Sequence, residues 1–295
     1  MHRDELIITV FTLIDDLLPL VTGGQRLRQR GPQPTLADSE VLTIEAVGSF
    51  LGFTQDRALW RYFRDHWSHF FPGLSQIHRT TFVRQAAQLW SCKALLWQGV
   101  LALTPHDPEL SWVDSCPLPV CRFARAYRNR SFAEHGAYGH DAVSRGTFYG
   151  FRLHCHLLAP GLLHRLAVVP ANVSELTVLP ELVADQPGFV LGDRGFWSPT
   201  LSAQLRDQQI LLVAPFRRAT RDPAPRFSRW FSRKRYRIET VFSQLVGRFR
   251  VREIRTRDPW HLLNRLLRIM LMHTIGVFLN IQAGRPPLQL ARLLD

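Results

Sequence analysis

Lysine is nearly absent from this sequence. Only Lys93 and Lys234 occur among its 37 basic residues, so arginine carries almost all of the positive charge. The planar guanidinium group suits bidentate contacts with phosphate, although a biased genome composition would produce the same excess of arginine. The four cysteines include no C-x-x-C pair, which argues against both a zinc ribbon and a disulfide framework.

Two further absences concern secretion and membranes. The first residues carry no signal-peptide pattern. The apolar stretch 262–281 is interrupted by polar and basic residues, so we expect a buried helix there and no membrane span; these residues are Asn264, Arg265, Arg268 and His273. Together these absences predict a cytosolic protein.

What the sequence does contain is a large excess of positive charge. Its 295 residues carry a formal net charge of +13 and a sequence pI near 10.8. With 46% hydrophobic residues, the chain can bury a sizeable core in one large domain or two smaller ones. Nucleic acid fits as a partner better than a membrane surface does, because the charge is distributed along the chain.

The pattern of apolar residues changes near residue 105. Before it, segments 3–18, 36–50, 56–67 and 80–103 show helical spacing. Proline and acids replace that spacing at Pro105–Pro108, where we place a domain boundary. We therefore predict an all-helical N-terminal domain over residues 1–105 and a second domain over 106–295. The first could read DNA in the manner of a helix-turn-helix or be an ordinary helical bundle.

The second domain alternates predicted strands with predicted helices, and two of the strands end in an acid. Residues 110–113 lead to Asp114, and residues 188–192 lead to Asp193. The other predicted elements are strands at 149–158, 162–169 and 210–214 and helices at 174–183 and 199–207. This mixture predicts an α/β fold in which helices cover a central mixed sheet.

A third acid, Glu239, is surrounded by positive charge. It is the only acid between Arg226 and Arg252, a segment with nine basic residues. A helix is predicted around it, since one apolar stripe has the spacing that buries against a core; its members are Ile238, Val241, Phe242, Leu245 and Phe249. Glu239 lies at the edge of that stripe and remains reachable from solvent.

The order of these elements predicts a shared site for the three acids. Groups at the ends of neighbouring strands converge, and a helix across the sheet can bring a third group to the same point. Carboxylates in contact repel one another unless cations neutralise them, and oxygen ligands suit Mg²⁺ or Mn²⁺. Two such ions about 4 Å apart can activate a water or a 3′-hydroxyl and stabilise the leaving oxygen.

Each acid also has a purely structural interpretation. Asp114 could cap a turn, and Asp193 could form the turn that follows it. Glu239 could neutralise Arg235 one helical turn away. The nearest rivals among the other acids are Glu175, which complements the dipole of a helix from its first turn, and Asp207 at a polar helix end.

The sequence around the three acids resembles a known family. Asp114 stands in Trp-Val-Asp-Ser, Asp193 in Leu-Gly-Asp-Arg-Gly-Phe and Glu239 in Arg-Ile-Glu-Thr-Val-Phe-Ser-Gln-Leu. These motifs resemble the DDE transposases of bacterial insertion sequences. The runs Asp-Ser-x-Pro-Leu-Pro-Val-Cys, Tyr-Gly-Phe-Arg-Leu-His and Ala-Asp-Ser-Glu-Val resemble most the IS-nine-eighty-two group. The Tyr-Arg-Glu-Lys signature of another insertion-sequence group is absent.

The resemblance implies a ribonuclease-H-like catalytic domain over 106–295 with the C-terminal helix included. It implies that Asp114, Asp193 and Glu239 are catalytic acids that bind metal, with two Mg²⁺ or Mn²⁺ ions as cofactors. The expected activity is cleavage of DNA at the ends of the mobile element, followed by transfer of the 3′-end to target DNA.

The same resemblance implies DNA as the partner, a dimer or larger assembly on DNA, and a cytoplasmic, nucleoid-associated protein in a bacterium. The basic residues around Glu239 are expected to contact DNA phosphates; they are Arg233, Lys234, Arg235, Arg237, Arg248 and Arg250. Two alternatives remain open: a structure-selective nuclease of the same fold, and a domesticated or decayed transposase that binds DNA without cutting it.

Overall fold

The chain forms two compact units. A computed structural model describes residues 1–25, 31–141, 144–218, 222–224, 231 and 235–294. The helical unit comprises Met1–Thr104 together with Leu245–Asp295, and the sheet unit comprises Pro105–Gln244. The first break falls after Thr104, next to the division after residue 105 that the sequence predicts. Residues 245–295, which the prediction placed in the second domain, belong instead to the helical unit.

The regular elements are named here in chain order. The helices are α1 (Arg3–Val21), α2 (Asp38–Phe50), α3 (Asp56–His66), α4 (Arg79–Gln88), α5 (Trp90–Leu103), α6 (Glu175–Leu182), α7 (Pro199–Arg206), α8 (Tyr236–Gly247) and α9 (Pro259–Gln282). The strands are β1 (Asp107–Pro119), β2 (Ala137–Asp141), β3 (Gly146–Ala159), β4 (Leu162–Pro170), β5 (Gly188–Leu191) and β6 (Ile210–Val213).

The C-terminal residues belong to the helical unit because α9 is a strongly apolar helix that packs on other helices. By length and composition alone this helix could cross a membrane, but 78% of its most apolar window is buried in the protein. It packs on α5 and α2. A helix that is apolar on all sides is stable in water only when neighbours cover it, and here the N-terminal helices do so. The burial agrees with the prediction of a buried helix.

The sheet unit contains one six-stranded mixed sheet. Its order is β2-β3-β1-β5-β6, and β4 pairs with the part of β3 that β2 leaves free. β1 and β3 are antiparallel, whereas β1, β5 and β6 run parallel. The antiparallel strands β3 and β4 contain the strands predicted at 149–158 and 162–169. Strand β2 lies in a basic segment for which no strand is predicted.

One face of the sheet is covered by α6 and α7. The core there consists of residues from β1, β5, β6 and the two helices, namely Val113, Leu179, Leu182, Val183, Val190, Phe196, Leu205 and Ile210. Each of these side chains is at most 4% exposed, so the strands that carry Asp114 and Asp193 are held in fixed register. In α8, Ile238, Val241 and Leu245 of the predicted stripe are fully buried.

Gly188 begins β5 in a conformation that favours glycine. Its φ is +115°, and a Cβ atom there would lie 2.5 Å from the carbonyl oxygen of Glu109 on β1. We expect Gly188→Ala to destabilise the β1–β5 pairing by about 3 kcal/mol, because the strain and the backbone clash add. Hydrogen exchange of the β5 amides should then accelerate by about 100-fold.

Gly247→Ala is the matched control for this substitution, since no atom lies within 4 Å of a Cβ at that position. It should leave β5 exchange unchanged. Equal protection of β5 in Gly188→Ala and the native chain would contradict the described pairing.

Candidate active site

Asp114 and Asp193 follow the last residue pair of the β1–β5 ladder at the same distance along the chain. Trp112 pairs with Leu191 in the parallel ladder of β1 and β5, and each aspartate follows that pair by two residues. Adjacent strands lie about 4.8 Å apart, so the register places the two aspartates near each other at the edge where the β1–β5 pairing ends. β1 itself continues to Pro119 beside β3. The predicted strand end at Asp114 is therefore the end of the pairing with β5, not the end of the strand.

Both aspartates also make the local contacts that a structural role requires. Asp193 is the N-cap of the short 3₁₀ segment Arg194–Phe196, and its Oδ1 accepts a hydrogen bond from the Gly195 amide at 2.7 Å. Oδ1 of Asp114 accepts one from the Ser115 amide at 2.8 Å. These bonds fix the orientation of each carboxylate and use one oxygen of each, so they are compatible with a role for the other oxygen.

A third carboxylate at this edge belongs to Glu175, the first residue of α6. A Cβ atom on Gly195 would lie 2.8 Å from Glu175 Oε2 and 2.9 Å from Asp193 Oδ1. The two oxygens are consequently at most 5.7 Å apart. The sequence names Glu175 as a rival of the three acids with a helix-dipole role, but it does not predict this proximity.

Two arginines supply the nearby positive charge. Arg235 Nη2 donates to Asp114 Oδ2 at 3.0 Å, with the two side chains 15% and 23% exposed. Arg152 Nη1 lies 3.6 Å from Glu175 Oε1 and 3.3 Å from Ser115 Oγ. Arg235 thus neutralises the charge of Asp114, and Arg152 neutralises that of Glu175.

The electrostatics of Asp114 reflect this crowding. Burial raises the pKa of Asp114 to about 7, and the Arg235 guanidinium opposes that rise. The neighbouring carboxylates of Asp193 and Glu175 raise the pKa of Asp114 further. Three acids placed together therefore disfavour the ionised form of one of them. An additional cation at this edge would stabilise that form.

Glu239 has different surroundings from the two aspartates. Its side chain is exposed on α8, and it makes no hydrogen bond or ion pair with any described residue. Arg235, whose guanidinium contacts Asp114, lies one turn before it. The structure therefore joins the helix of Glu239 to Asp114 through Arg235. It shows no contact of the Glu239 carboxylate with either aspartate.

The basic residues predicted to contact DNA are divided between the two units. Arg233 and Lys234 lie outside the described residues. Arg237 belongs to the sheet unit, and its guanidinium lies 6.0 Å from the centre of the Trp112 ring. Arg235, in the same unit, is occupied by Asp114 as described above.

Arg248 and Arg250 belong to the helical unit. The Arg248 guanidinium lies 4.5 Å above the Phe50 ring, and burial lowers the pKa of Arg248. Arg250 forms an ion pair with Glu253 at 2.7 Å. Both arginines therefore already have partners within the protein. A contact with a DNA phosphate would have to replace those partners or be added to them.

The carboxylates of Asp114, Asp193 and Glu175, called here the acid cluster, are of a chemical type that suits a hard divalent cation. In the part of the chain that is described, no three acidic, histidine or cysteine side chains are arranged to hold a metal ion as they stand. The donor types of Asp114, Asp193 and Glu175 are nevertheless those that Mg²⁺ and Mn²⁺ prefer. Binding would require Asp114 Oδ2 to exchange its contact with Arg235 for one with the cation.

Comparison with known proteins gives one match. A family model described as a transposase DDE domain matches residues 106–259, which is slightly more than half of the chain and includes all three predicted acids. No curated protein and no solved structure matches the chain. The matched segment begins one residue after the start of the sheet unit.

Proposed function

We propose that this chain, which belongs to the transposase DDE-domain family, is the transposase of a bacterial insertion sequence of the IS-nine-eighty-two type. In this proposal it binds the ends of its own element and hydrolyses a phosphodiester bond there. The 3′-hydroxyl released by this step then attacks a phosphodiester of the target DNA, so that one bond forms as another breaks.

The observation that carries the proposal is the register of Asp114 and Asp193. A decayed transposase, in which these acids no longer lie close together, could still match the family. The parallel pairing of β1 with β5 supports the proposal, because both acids closely follow the last pair of that ladder and Arg235 neutralises Asp114. Two carboxylates held near each other are what a metal-dependent phosphoryl transfer would need.

Each acid has a role in this mechanism. Asp114 and Asp193 would hold the cations from the sheet, and Glu239 would complete the set from α8. Two Mg²⁺ or Mn²⁺ ions would supply activation of the nucleophile and stabilisation of the leaving oxygen when bound. Arg235, once released from Asp114, would be free to pair with a phosphate oxygen, and no covalent bond between protein and DNA is needed.

The remaining features concern partners and location. DNA is the partner that the family implies, and the net charge of +13 supports strong, salt-dependent binding. Arg233, Lys234, Arg237, Arg248 and Arg250 are proposed to contact phosphates. Because two element ends must be joined, we propose a dimer or larger assembly on DNA, in the bacterial cytoplasm at the nucleoid.

The proposal is tested by metal-dependent nicking of DNA that carries the flanking sequence of the gene. We expect nicks with 3′-hydroxyl ends at the boundary of an inverted repeat in Mg²⁺. Chelation by EDTA should remove all nicking, because the acids alone have no cation with which to activate water. Addition of Mn²⁺ in excess of the chelator should restore it.

The position of the nicks separates the alternatives. Nicks at branched structures without preference for the repeat, and without strand transfer, would support a structure-selective nuclease. Tight binding to the flanking DNA without nicks in either metal would support a DNA-binding protein that has lost its activity.

A further inference from the structure

We propose that Glu175 is a fourth acid of the active site and that its Oε2 binds the same divalent cation as Asp193. This inference rests on the proposed function for the existence of the cation. It adds a ligand from α6, on the side of the sheet that carries the Val113 and Leu179 core, whereas Glu239 comes from α8.

The first argument is the position of Gly195. A Cβ atom there would lie within 3 Å of both Glu175 Oε2 and Asp193 Oδ1. Any side chain at this position would therefore have to displace one of the two carboxylates. The glycine in the Asp-Arg-Gly turn allows both acids to approach the same small volume.

The second argument is the orientation of the Glu175 carboxylate. Its Oε1 accepts a hydrogen bond from Ser115 Oγ at 2.5 Å, and Arg152 Nη1 lies 3.6 Å away. Arg152 is fixed in turn, since its Nη2 donates to the His140 carbonyl at 2.9 Å. Among the described residues, none donates a hydrogen bond to Oε2. One oxygen is thus anchored while the other is presented towards Asp193.

The helix dipole alone does not explain this arrangement. An acid in the first turn of a helix interacts favourably with the dipole whichever way its free oxygen points. Two carboxylates that approach each other repel, so an acid with only that role would be more stable turned away from Asp193. Instead, Ser115, the residue after Asp114, holds Glu175 in place. The proximity is useful if a cation lies between the two acids.

The test is the affinity of the full chain for Mn²⁺, measured from the free-ion signal in electron paramagnetic resonance. We expect Glu175→Gln to weaken Mn²⁺ binding by about 10-fold or more. Glutamine still accepts a hydrogen bond from Ser115, so the fold should be retained, as circular dichroism can verify. Glu181→Gln, on the exposed part of the same helix, is the matched control and should bind Mn²⁺ like the native chain.

Gly195→Ala tests the same idea without removal of a charge. The added methyl group would push the flexible end of Glu175 away from Asp193 and should also weaken Mn²⁺ binding. Gly247→Ala, with open space around its Cβ, is the control. Native Mn²⁺ affinity in Gly195→Ala would overturn the proposal even if Glu175→Gln failed to fold.

Asp193→Asn separates failure of this inference from failure of the proposed function. If Asp193→Asn loses Mn²⁺ binding while Glu175→Gln keeps it, Glu175 is not a ligand and the proposed function stands. If the native chain itself does not bind Mn²⁺, both the inference and the metal-dependent function are wrong.

Discussion

Replacement of Glu239 by glutamine is expected to lower Mg²⁺-dependent cleavage by about 1,000-fold or more while DNA affinity changes little. Glutamine has the same shape but lacks the charge that holds a divalent cation. The side chain is exposed and makes no hydrogen bond or ion pair with the described residues, so its replacement should not alter the stability of the fold. The predicted loss is therefore a loss of chemistry alone.

The measurement is the single-turnover rate of nicking on flanking DNA, together with a binding isotherm for each variant. Asp193→Asn gives the reference for complete loss of a ligand, and Glu181→Gln controls for removal of an exposed acid. Cleavage by Glu239→Gln at the native rate, with Asp193→Asn inactive, would show that the third acid lies elsewhere. Glu175 would then be the strongest candidate, because it already stands beside Asp193.

The strands that carry the two aspartates could be predicted because their local signals agree with the fold. The runs before Asp114 and Asp193 are short and apolar, and the structure buries Val113 and Val190 completely. The turn between β3 and β4 also has a clear local signature in Ala159-Pro160-Gly161. Where local pattern and tertiary burial agree in this way, the sequence determines the element.

The features that could not be predicted depend on contacts distant in sequence. Strand β2 exists because β3 extends far enough to pair with it, and its own sequence has no regular alternation. The approach of Glu175 to Asp193 depends on the seating of α6 on the sheet and on the absence of a side chain at Gly195. The Gly in the Asp-Arg-Gly turn was the only local signal of that approach.

The grouping of the C-terminal helix with the N-terminal helices has a physical cause in buried charge. Lys93 on α5 is fully buried. Its ammonium donates to the Ala86 carbonyl at 2.7 Å and to Asn264 Oδ1 on α9 at 2.5 Å, and it forms an ion pair with Glu45 on α2. One of only two lysines in the chain thus links α5 to three other helices of the helical unit, α2, α4 and α9.

We expect Lys93→Met to destabilise the helical unit by about 3–5 kcal/mol, because removal of one partner leaves the other charge buried. Burial lowers the pKa of Lys93, whereas the neighbouring Glu45 carboxylate opposes that shift. In calorimetry of the full chain, the midpoint temperature at which this unit unfolds should fall by about 10 °C. Arg64→Met, which breaks an exposed pair with Asp65, should change it by about 2 °C or less.

The double substitution Lys93→Met with Glu45→Gln distinguishes a charge effect from a packing effect. If the loss comes from a buried carboxylate left with Arg268 alone at 3.4 Å, glutamine at position 45 should recover much of it, since Arg268 keeps its pair with Asp56 at 3.1 Å. If the loss comes instead from poorer packing of methionine, the destabilisation caused by Glu45→Gln should add to that caused by Lys93→Met. A loss below about 1 kcal/mol in the single variant would contradict a buried charge in this position, because exposed pairs alone have such small effects.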